Sequence, residues 1–333
     1  SFEDLVDRVR VGETFGVYTH DVTNVEEPAQ RIELTTPDAV MITGRNEIVR
    51  LRFSNGAELR CTPGHRIFTV NRGWVEAEAL TSADRVKALD LPTPAVAADW
   101  QLPVSADARD YATADVRTLK GLHLPEKWSA ELGHYLGWLV GDGCLSADVA
   151  STVYGTDEEQ EHILPRHRAL AAAMNDGFEA KPSVPANGTV QLRQSRQVIA
   201  RFLEALGVST GHAPDKGLPW SVQEAPPEVA AAFLRGLFDA DGCVRDHDKS
   251  RYVGLGSVSE ELLRGVQRLL STFGIFSRIY PTRSASTEPS FTYTAVDGTE
   301  AEYHAAPMFD LRITGRSLAA FAAVIGFDHP TKA

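Results

Sequence analysis

Two segments of this chain repeat each other, and the repeat limits the possible folds more than any other feature of the sequence. Residues 135–145, YLGWLVGDGCL, align with residues 234–244, LRGLFDADGCV. Farther on, residues 190–208 align with residues 309–327, and the larger offset places an insertion between 280 and 307 that we expect to form a hairpin. Mixed helix and strand patterns in both copies predict an α+β domain with two related halves.

Each copy opens with a helical pattern that carries small residues four positions apart. They are Gly137 and Gly141 in the first copy, and Gly236 and Ala240 in the second. Residues at this spacing share one helix face, where small side chains allow two backbones to approach closely. One such pair could be loop punctuation, but its recurrence predicts that the two helices pack through these four residues.

Both helical segments end in an aspartate and a glycine, Asp142-Gly143 and Asp241-Gly242. A carboxylate at a helix C-terminus opposes the macrodipole, and two packed helices would also bring like charges together. A shared proton, as in acid proteases, or a pair of divalent cations would relieve the repulsion. The DADG segment is not a calcium loop, because its glycine is fourth rather than sixth and no Glu closes it.

The region before the repeat has a different character. Residues 1–95 contain short β-prone runs, one of which turns at Asn55-Gly56, the usual signal for a type I′ hairpin. We therefore expect a compact all-β unit. Residues 96–128 include Pro103 and Pro125 and are consistent with a linker, an extended arm or the irregular edge of a neighbouring domain.

The repeated motifs resemble those of a known family. YLGWLVGDG and LRGLFDADG look like the two signature helices of LAGLIDADG homing endonucleases, and the second departs from the consensus at Arg235 and Phe238. The resemblance covers residues 129–333. It implies an α+β pseudo-twofold endonuclease with two αββαββα-like halves, about 129–225 and 226–333, which we call the first half and the second half.

The resemblance also implies a function, which is a site-specific double-strand break in a long, asymmetric DNA target through metal-dependent hydrolysis with Mg²⁺. Asp142 and Asp241 would be the catalytic metal ligands, with Gly141 and Ala240 beside them. Lys216 and Lys332 match the lysine that each half contributes near the scissile phosphate, although either could be a solvated turn lysine. The expected DNA contacts are Arg193, Arg196, Arg251, Arg278, Arg283 and Arg312.

Residues 1–95 resemble part of the Hint fold of inteins. Thr62-Pro63-Gly64-His65 fits the TxxH block, whose threonine and histidine polarise the peptide bond at the N-terminal splice junction. A structural histidine in a tight turn would give the same pattern. The chain shows neither the opening nucleophile block nor a terminal His-Asn, so we expect Ser1 not to be the splicing nucleophile and self-splicing to require the complete precursor with its flanking host segments, the exteins.

Composition excludes several other classes. The formal net charge of −12 argues against a protein that coats nucleic acid through a general positive field, so DNA affinity must come from clustered arginines and metal ions. No apolar run is long enough to span a membrane, and Cys61, Cys144 and Cys243 are too few for a disulfide framework. We expect a cytoplasmic monomer.

Three other functions compete with the endonuclease. A splicing element or DNA-binding protein could retain the fold and bind DNA without cutting it, although loss of a motif aspartate would then be expected. An RNA-splicing maturase would not explain the Hint-like strands. A domain that acts only on peptide bonds would not explain the doubled motif.

Overall fold

A computed structural model describes residues 2–20, 32–88, 91–94, 99–113, 119–177, 181–185, 188–247, 250–283, 291–294, 300–303 and 307–333. The chain divides into two compact units. The first unit comprises Ser1–Pro94 with Leu270–Phe276, and the second comprises Ala95–Leu269 with Ser277–Ala333. Residues 99–113 and 119–128 therefore belong to the second unit.

The first unit contains one helix and three antiparallel strand pairs among its described residues. Its elements are α1 (Phe2–Arg10), β1 (Val17–Thr19), β2 (Glu33–Thr35), β3 (Val49–Arg52), β4 (Glu58–Cys61), β5 (Arg66–Thr69) and β6 (Gly73–Glu76). Strand β1 pairs with β2, β3 with β4 and β5 with β6. The expected hairpin around Asn55-Gly56 is confirmed. The segment Asn71-Arg72-Gly73, which also reads as a turn in the sequence, lies in the connection between the paired strands β5 and β6.

Helix α1 departs from the all-β expectation for residues 1–95. It has acidic residues Glu3 and Asp4 in its first turn and basic residues Arg8 and Arg10 in its last, which suits the helix dipole. Val6 faces inward and is 4% exposed. The apolar residues Phe2, Leu5, Val6 and Val9 recur at three- and four-residue steps, so the sequence carried a helical pattern that the all-β expectation overlooked.

The loop after β3 also differs from the prediction in its turn type. The amide of Phe53 donates to the carbonyl of Ala57, and Gly56 has φ of 86°. A type I′ turn would require positive φ at Asn55 as well, and Asp176 is the only described non-glycine residue with positive φ. The loop is a three-residue turn closed by a glycine bulge, for which Asn-Gly is equally suitable.

The second unit contains the two repeated halves. Its first-half elements are α2 (Ala130–Asp142), β7 (Gly143–Leu145), β8 (Ala150–Tyr154), α3 (Leu164–Ala173), β9 (Val190–Gln194), α4 (Gln197–Ala205) and α5 (Trp220–Gln223). The second-half elements are α6 (Pro227–Asp241), β10 (Gly242–His247), β11 (Ser250–Ser257), α7 (Glu260–Thr272), β12 (Ser277–Arg283), β13 (Phe291–Thr294), β14 (Glu300–Tyr303), β15 (Met308–Ile313) and α8 (Ser317–Val324). One turn of π-helix, Glu159–Ile163, precedes α3.

The two halves have different sheets. The second half has four antiparallel strands in the order β10-β11-β15-β12, and the inserted segment forms the expected hairpin of β13 and β14. The described part of the first half has three strands, β7-β8-β9, and a single bridge between Ser183 and Gln191 where the fourth strand was expected. The prediction of two αββαββα-like halves therefore holds for the second half, apart from its inserted hairpin, and is incomplete for the first.

Helices α2 and α6 form the centre of the second unit. Ser129 caps α2 by accepting a hydrogen bond from the amide of Leu132 at 3.1 Å, and Pro227 occupies the first turn of α6, where its missing N–H is not needed. Both helices are buried on nearly every side, as in the case of Leu136 and Leu237, which are fully buried. None of the described helices has the length and hydropathy of a membrane span.

Candidate active site

Helices α2 and α6 approach so closely that their glycines contact backbone across the interface, which we call the seam. A Cβ atom added at Gly137 would lie 2.0 Å from the carbonyl oxygen of Phe233, and one added at Gly236 would lie 2.1 Å from that of His134. A Cβ at Gly141 would lie 2.7 Å from the Cβ of Ala240. The structure thus brings the four predicted small residues together.

The two predicted aspartates lie at the same end of the seam. The Oδ2 atom of Asp241 would be 3.3 Å from a Cβ at Gly141, the residue that precedes Asp142. Asp142 is partly buried, whereas Asp241 reaches solvent at the rim of the site. After each aspartate a glycine, Gly143 or Gly242, ends the helix and starts a strand, which leaves the carboxylate at the helix end.

The pKa values of both carboxyl groups are raised, because the groups are partly desolvated and have other carboxylates nearby. Desolvation and the repulsion of Asp142 raise the pKa of Asp241 to about 6. Desolvation and the nearby Glu159 carboxylate also raise the pKa of Asp142. Lys216 and Lys332 oppose both shifts without cancelling them.

Lys216 caps the carboxyl end of α2. Its Nζ atom donates to the carbonyls of Val140 at 2.7 Å, Gly141 at 2.8 Å and Gly143 at 3.2 Å. These carbonyls include the ones that a helix end leaves without partners. Partial burial lowers the pKa of the Lys216 ammonium, while Asp241 and Asp142 raise it again.

Lys332 caps the carboxyl end of α6 in the same way. Its Nζ atom donates to the carbonyls of Asp239 at 2.5 Å, Ala240 at 3.0 Å and Phe238 at 3.5 Å. Burial lowers its pKa, and the surrounding carboxylates, Asp239 first among them, oppose that shift. Both predicted lysines therefore lie beside the aspartate pair, each on its own helix end.

Gly141 and Ala240, the other predicted metal-site residues, already have partners for their carbonyl oxygens. The carbonyl of Gly141 accepts a hydrogen bond from Lys216, and that of Ala240 accepts one from Lys332. Each of these carbonyl oxygens has a second lone pair, and the carboxylates of Asp142 and Asp241 lie at the same end of the seam. Two carboxylates that repel each other suit a hard divalent cation such as Mg²⁺, which prefers oxygen ligands.

A buried polar network behind the aspartates was not predicted from the sequence. The Nε2 atom of His134 on α2 lies 3.0 Å from Oδ2 of Asp239 on α6, and its Nδ1 atom lies 3.0 Å from Nε2 of His167. Nδ1 of His167 is 2.8 Å from the hydroxyl of Tyr154. Burial holds the pKa of His167 well below its usual value, so this imidazole is neutral. The network links the two halves through residues 105 positions apart.

Glu159 is a second unpredicted group near the site. It is 8% exposed, and its Oε2 atom accepts hydrogen bonds from the amides of Gly155 at 2.6 Å and Thr156 at 3.3 Å. Its Oε1 atom lies 3.5 Å from Nε2 of His329 in the second half. Glu159 carries no motif in the sequence. The π-helical turn that contains it is a rare element often found at functional sites, and it is visible only in the structure.

The predicted DNA-contacting arginines do not form one group. Arg278 and Arg312 are cross-strand partners on the solvent face of the second-half sheet, with Tyr252 and Tyr280 beside them. The Cζ atom of Arg312 is 4.5 Å from the ring centroid of Tyr252, and its Nε atom donates to Asp310 at 2.6 Å.

The remaining arginines lie elsewhere. Arg193 and Arg196 border a cavity of about 670 Å³ beside Lys120 in the first half. Arg251 shares the strand face of the buried Val253 rather than that of Tyr252, and its Nε atom donates to Asp246 at 2.7 Å. The backbone of Arg283 pairs with Met308, and its side chain lies outside the described residues.

The predicted splicing residues lie in the first unit. Thr62 and His65 occupy the turn between β4 and β5, where the amide of His65 donates to the carbonyl of Thr62 at 3.0 Å. The carbonyl of His65 accepts from Ala77, and the imidazole of His65 is exposed. Ser1 lies outside the described residues.

The family model described as a LAGLIDADG-like domain matches residues 228–326, within the second half. The matched segment contains the four-stranded sheet, the inserted hairpin, α8 and all of α6 except Pro227.

Curated relatives match most of this chain at low identity. The replicative DNA helicase DnaB of Synechocystis is 25% identical over 82% of the chain and 29% of the helicase. An A-type ATP synthase subunit from Pyrococcus abyssi is 26% identical over 70% of the chain and 22% of the subunit. RecA of Mycobacterium tuberculosis is 25% identical over 84% of the chain and 32% of RecA. The chain therefore spans less than a third of the length of these relatives. Among solved structures, the homing endonuclease I-DmoI with DNA and Ca aligns with 59% of the chain and 88% of its own, at 16% identity and a TM-score of 0.42.

Proposed function

We propose that this protein is a site-specific DNA endonuclease that makes a double-strand break by metal-dependent hydrolysis of one phosphodiester bond in each strand. The observation that carries the proposal is the symmetric arrangement at the seam, where each helix end presents one aspartate and one lysine. Two matching sites at one position suit two antiparallel strands, each with one bond to cut.

The aspartates provide the metal ligands in this proposal. Asp142 and Asp241 would hold Mg²⁺, which supplies Lewis-acid stabilisation of charge on the phosphate when bound. Their pKa values are raised first by desolvation and second by a neighbouring carboxylate, and a bound divalent cation would favour the charged forms of both groups. The carboxylates themselves would hold and orient the metal.

The lysines act on the phosphate. Lys216 and Lys332 are positive groups held at fixed positions by three carbonyls each. An ammonium held in this way can stabilise the negative charge that develops on a phosphate oxygen during hydrolysis. Because each lysine also neutralises the carboxyl end of its helix, it keeps the adjacent aspartate from facing the full dipole.

The DNA would bind along the solvent face of the second-half sheet and the matching face of the first half. Arg278 and Arg312, stacked on tyrosines, offer guanidinium groups in fixed orientations for base edges or phosphates. Arg193 is the matching residue of the first half by sequence and lies on the solvent face of β9. We propose a double-stranded target that is long and asymmetric, because the two halves differ in sequence and strand number, and a monomeric enzyme in the cytoplasm.

We also propose that the domain is attached to a protein-splicing domain of the Hint type, with Thr62 and His65 at the N-terminal splice junction and exteins as its partners. The support comes from the relatives, since a helicase, RecA and part of an ATP synthase differ in function, yet each shares a minor part of its length with this chain. A segment common to unlike proteins is what an inserted element would leave. Full-length precursor with its flanking segments should release ligated host protein, and His65→Ala should block that release.

The nuclease proposal is tested by incubating the chain with Mg²⁺ and supercoiled plasmid that carries the uninterrupted host gene. We expect linear plasmid, and none when Asp142→Asn and Asp241→Asn are combined. Cutting that survives the double variant would reject the proposed site. Tight binding of the plasmid by the wild-type chain without cutting would instead identify a DNA-binding protein.

A further inference from the structure

The C-terminal turn that carries Lys332 contacts α6, α3 and the π-helical turn that precedes α3. We define this turn as residues 328–332. From α6, Oδ1 of Asp239 accepts hydrogen bonds from the amides of Asp328 and His329, both at 3.1 Å. Within the turn, the amide of Lys332 donates to the carbonyl of His329 at 3.0 Å. The position of the Lys332 ammonium therefore depends on where residues 328 and 329 are anchored.

The other two anchors come from the first half. Arg166 on α3 donates from Nη1 to Oδ2 of Asp328 at 2.5 Å. Glu159, in the π-helical turn, lies 3.5 Å from Nε2 of His329, which is only 3% exposed. The lysine of the second half is thus held in part by residues of the first half.

Lys216, the lysine of the first half, is anchored differently. Its backbone carbonyl accepts a hydrogen bond at 2.6 Å from the hydroxyl of Ser259, which also caps the start of α7 through the amide of Leu262. None of its described hydrogen bonds involves Glu159 or Arg166. The two lysines therefore depend on separate sets of residues.

We propose that Glu159 and Arg166 are positioning residues for Lys332, so that the first half sets the geometry of the second catalytic lysine. Loss of both contacts leaves the turn with Asp239 and Arg235 of α6 and the longer contact from His134 of α2, and it releases the Lys332 ammonium from its three carbonyls for part of the time. Lys216 is unaffected by the same change. The expected effect on DNA cleavage rests on the proposed function, whereas the positioning of Lys332 by Glu159 and Arg166 does not.

The first measurement needs no nuclease activity. The full-length chain is acylated with limiting N-hydroxysuccinimide acetate, and the modification rate of each lysine is followed by mass spectrometry. In the double variant Glu159→Gln, Arg166→Met we expect Lys332 to react about tenfold faster than in the wild type, since the variant loses the charge-assisted hydrogen bond from Arg166 to Asp328 and the contact of Glu159 with His329. Lys216 should not change. Equal rates for Lys332 in the two proteins would overturn the proposal.

The second measurement follows the two DNA strands separately. Supercoiled plasmid carrying the uninterrupted host gene should accumulate as a nicked circle with the double variant, and sequencing of the nick should place it on the strand that remains cut in Lys332→Met. Ser259→Ala should slow the opposite strand. Equal slowing of both strands, or a nick on the strand left by Lys216→Met, would contradict the positioning role.

Two controls separate these outcomes from misfolding and from failure of the proposed function. Arg264→Met removes an arginine that pairs with Glu260 on α7, and it should change neither lysine reactivity nor strand preference. Arg166→Lys, which keeps a positive charge near Asp328, should restore part of the Lys332 protection. If the wild-type protein cuts no DNA, the proposed function fails, while the acylation rates still decide whether Glu159 and Arg166 position Lys332.

Discussion

The two helix ends at the seam are alike in their chemistry and unlike in their support. Each presents an aspartate, and each has three carbonyls that accept hydrogen bonds from one lysine. The residues that hold the two lysines differ. Lys216 follows an exposed loop, and its carbonyl accepts a hydrogen bond from Ser259. Lys332 lies in a C-terminal turn that contacts Asp239, Glu159 and Arg166. Similar positions for reacting groups can therefore be reached with different surrounding residues.

The largest expected effect comes from breaking the chemical symmetry of the seam. Asp142→Asn or Asp241→Asn removes a negative ligand for a divalent cation, and we expect each to reduce the rate of double-strand cleavage by at least about 100-fold. Plasmid linearisation under excess Mg²⁺ measures the loss. Asp246→Asn, which removes an exposed carboxylate paired with Arg251, is the control and should retain near-normal cutting. Full activity in either seam variant would show that its aspartate is not a metal ligand.

The next largest effect should come from disturbing the close packing of α2 against α6. Gly137→Ala and Gly236→Ala should destabilise the fold equally, each by about 3 kcal/mol, because each new methyl group would lie within 2.1 Å of a backbone carbonyl that cannot move alone. Denaturant unfolding measures the change. Gly217→Ala is a matched control, since its added Cβ would meet no atom within 4 Å. Unequal losses for Gly137 and Gly236 would show that one helix can shift where the other cannot.

A smaller effect should distinguish the two sheets that we propose to face DNA. Arg312 is fixed by Asp310 and Tyr252, while Arg193 is exposed on β9, so Arg312 loses less conformational freedom on binding. We expect Arg312→Ala to weaken DNA binding by about 1–3 kcal/mol and Arg193→Ala to weaken it less. Fluorescence anisotropy with Ca²⁺ in place of Mg²⁺ measures both. Arg251→Ala, on the other face of its strand, should have the least effect, and a reversed order would exclude the solvent face of the second-half sheet as the main DNA surface.

The smallest effect concerns the protonation of the aspartate pair. The pKa of Asp241 is raised to about 6 from an ordinary value of 3.8, so the folded protein holds this proton more tightly than the unfolded chain. Without metal, Asp241 should therefore add stability as pH falls through 6, and the gain should level off below 3.8. With Mg²⁺, cleavage should instead rise with pH through 6, because protons compete with the metal.

The stability of the wild type must be compared with that of a variant at each pH, since other carboxyl groups change the stability in the opposite direction as pH falls. The pKa values of Asp84 and Asp328 are lowered by Arg72 and Arg166, so acid removes the stability that those pairs provide. Denaturant unfolding of the wild type and Asp241→Asn across the same pH range isolates the one group. Parallel curves for the two proteins would mean that Asp241 titrates normally.

Local sequence patterns predicted the elements whose signals are local. The helices that end at Asp142 and Asp241, the hairpins around Gly56 and Gly73, and the inserted hairpin each carry their own periodicity or turn residues. Helix α1 was missed although Phe2, Leu5, Val6 and Val9 recur at helical spacing, because the β-prone runs that follow were extended to the whole region. The incomplete first-half sheet was missed because the repeat was assumed to preserve every strand.

The site was predictable only where a residue type indicates its chemistry. A small residue before and a glycine after an aspartate at the end of a helix are visible in the sequence, and the repeat doubled the signal. The pairing of His134 with Asp239 is not, because it joins positions 105 apart whose own neighbours are ordinary helix residues. Nor could the sequence indicate that Lys216 and Lys332 would bind main-chain carbonyls, since every residue supplies one.

The inserted hairpin of the second half leaves from β12 and returns at β15, which are neighbours in the sheet order β10-β11-β15-β12. Chain that exits and re-enters at adjacent antiparallel strands can lengthen without altering the sheet, and each doubling of such a loop costs only about 0.6 kcal/mol in closure entropy. For protein engineering, this connection is thus an insertion site, where a foreign peptide or an additional binding module can be added while the order of the strands is preserved.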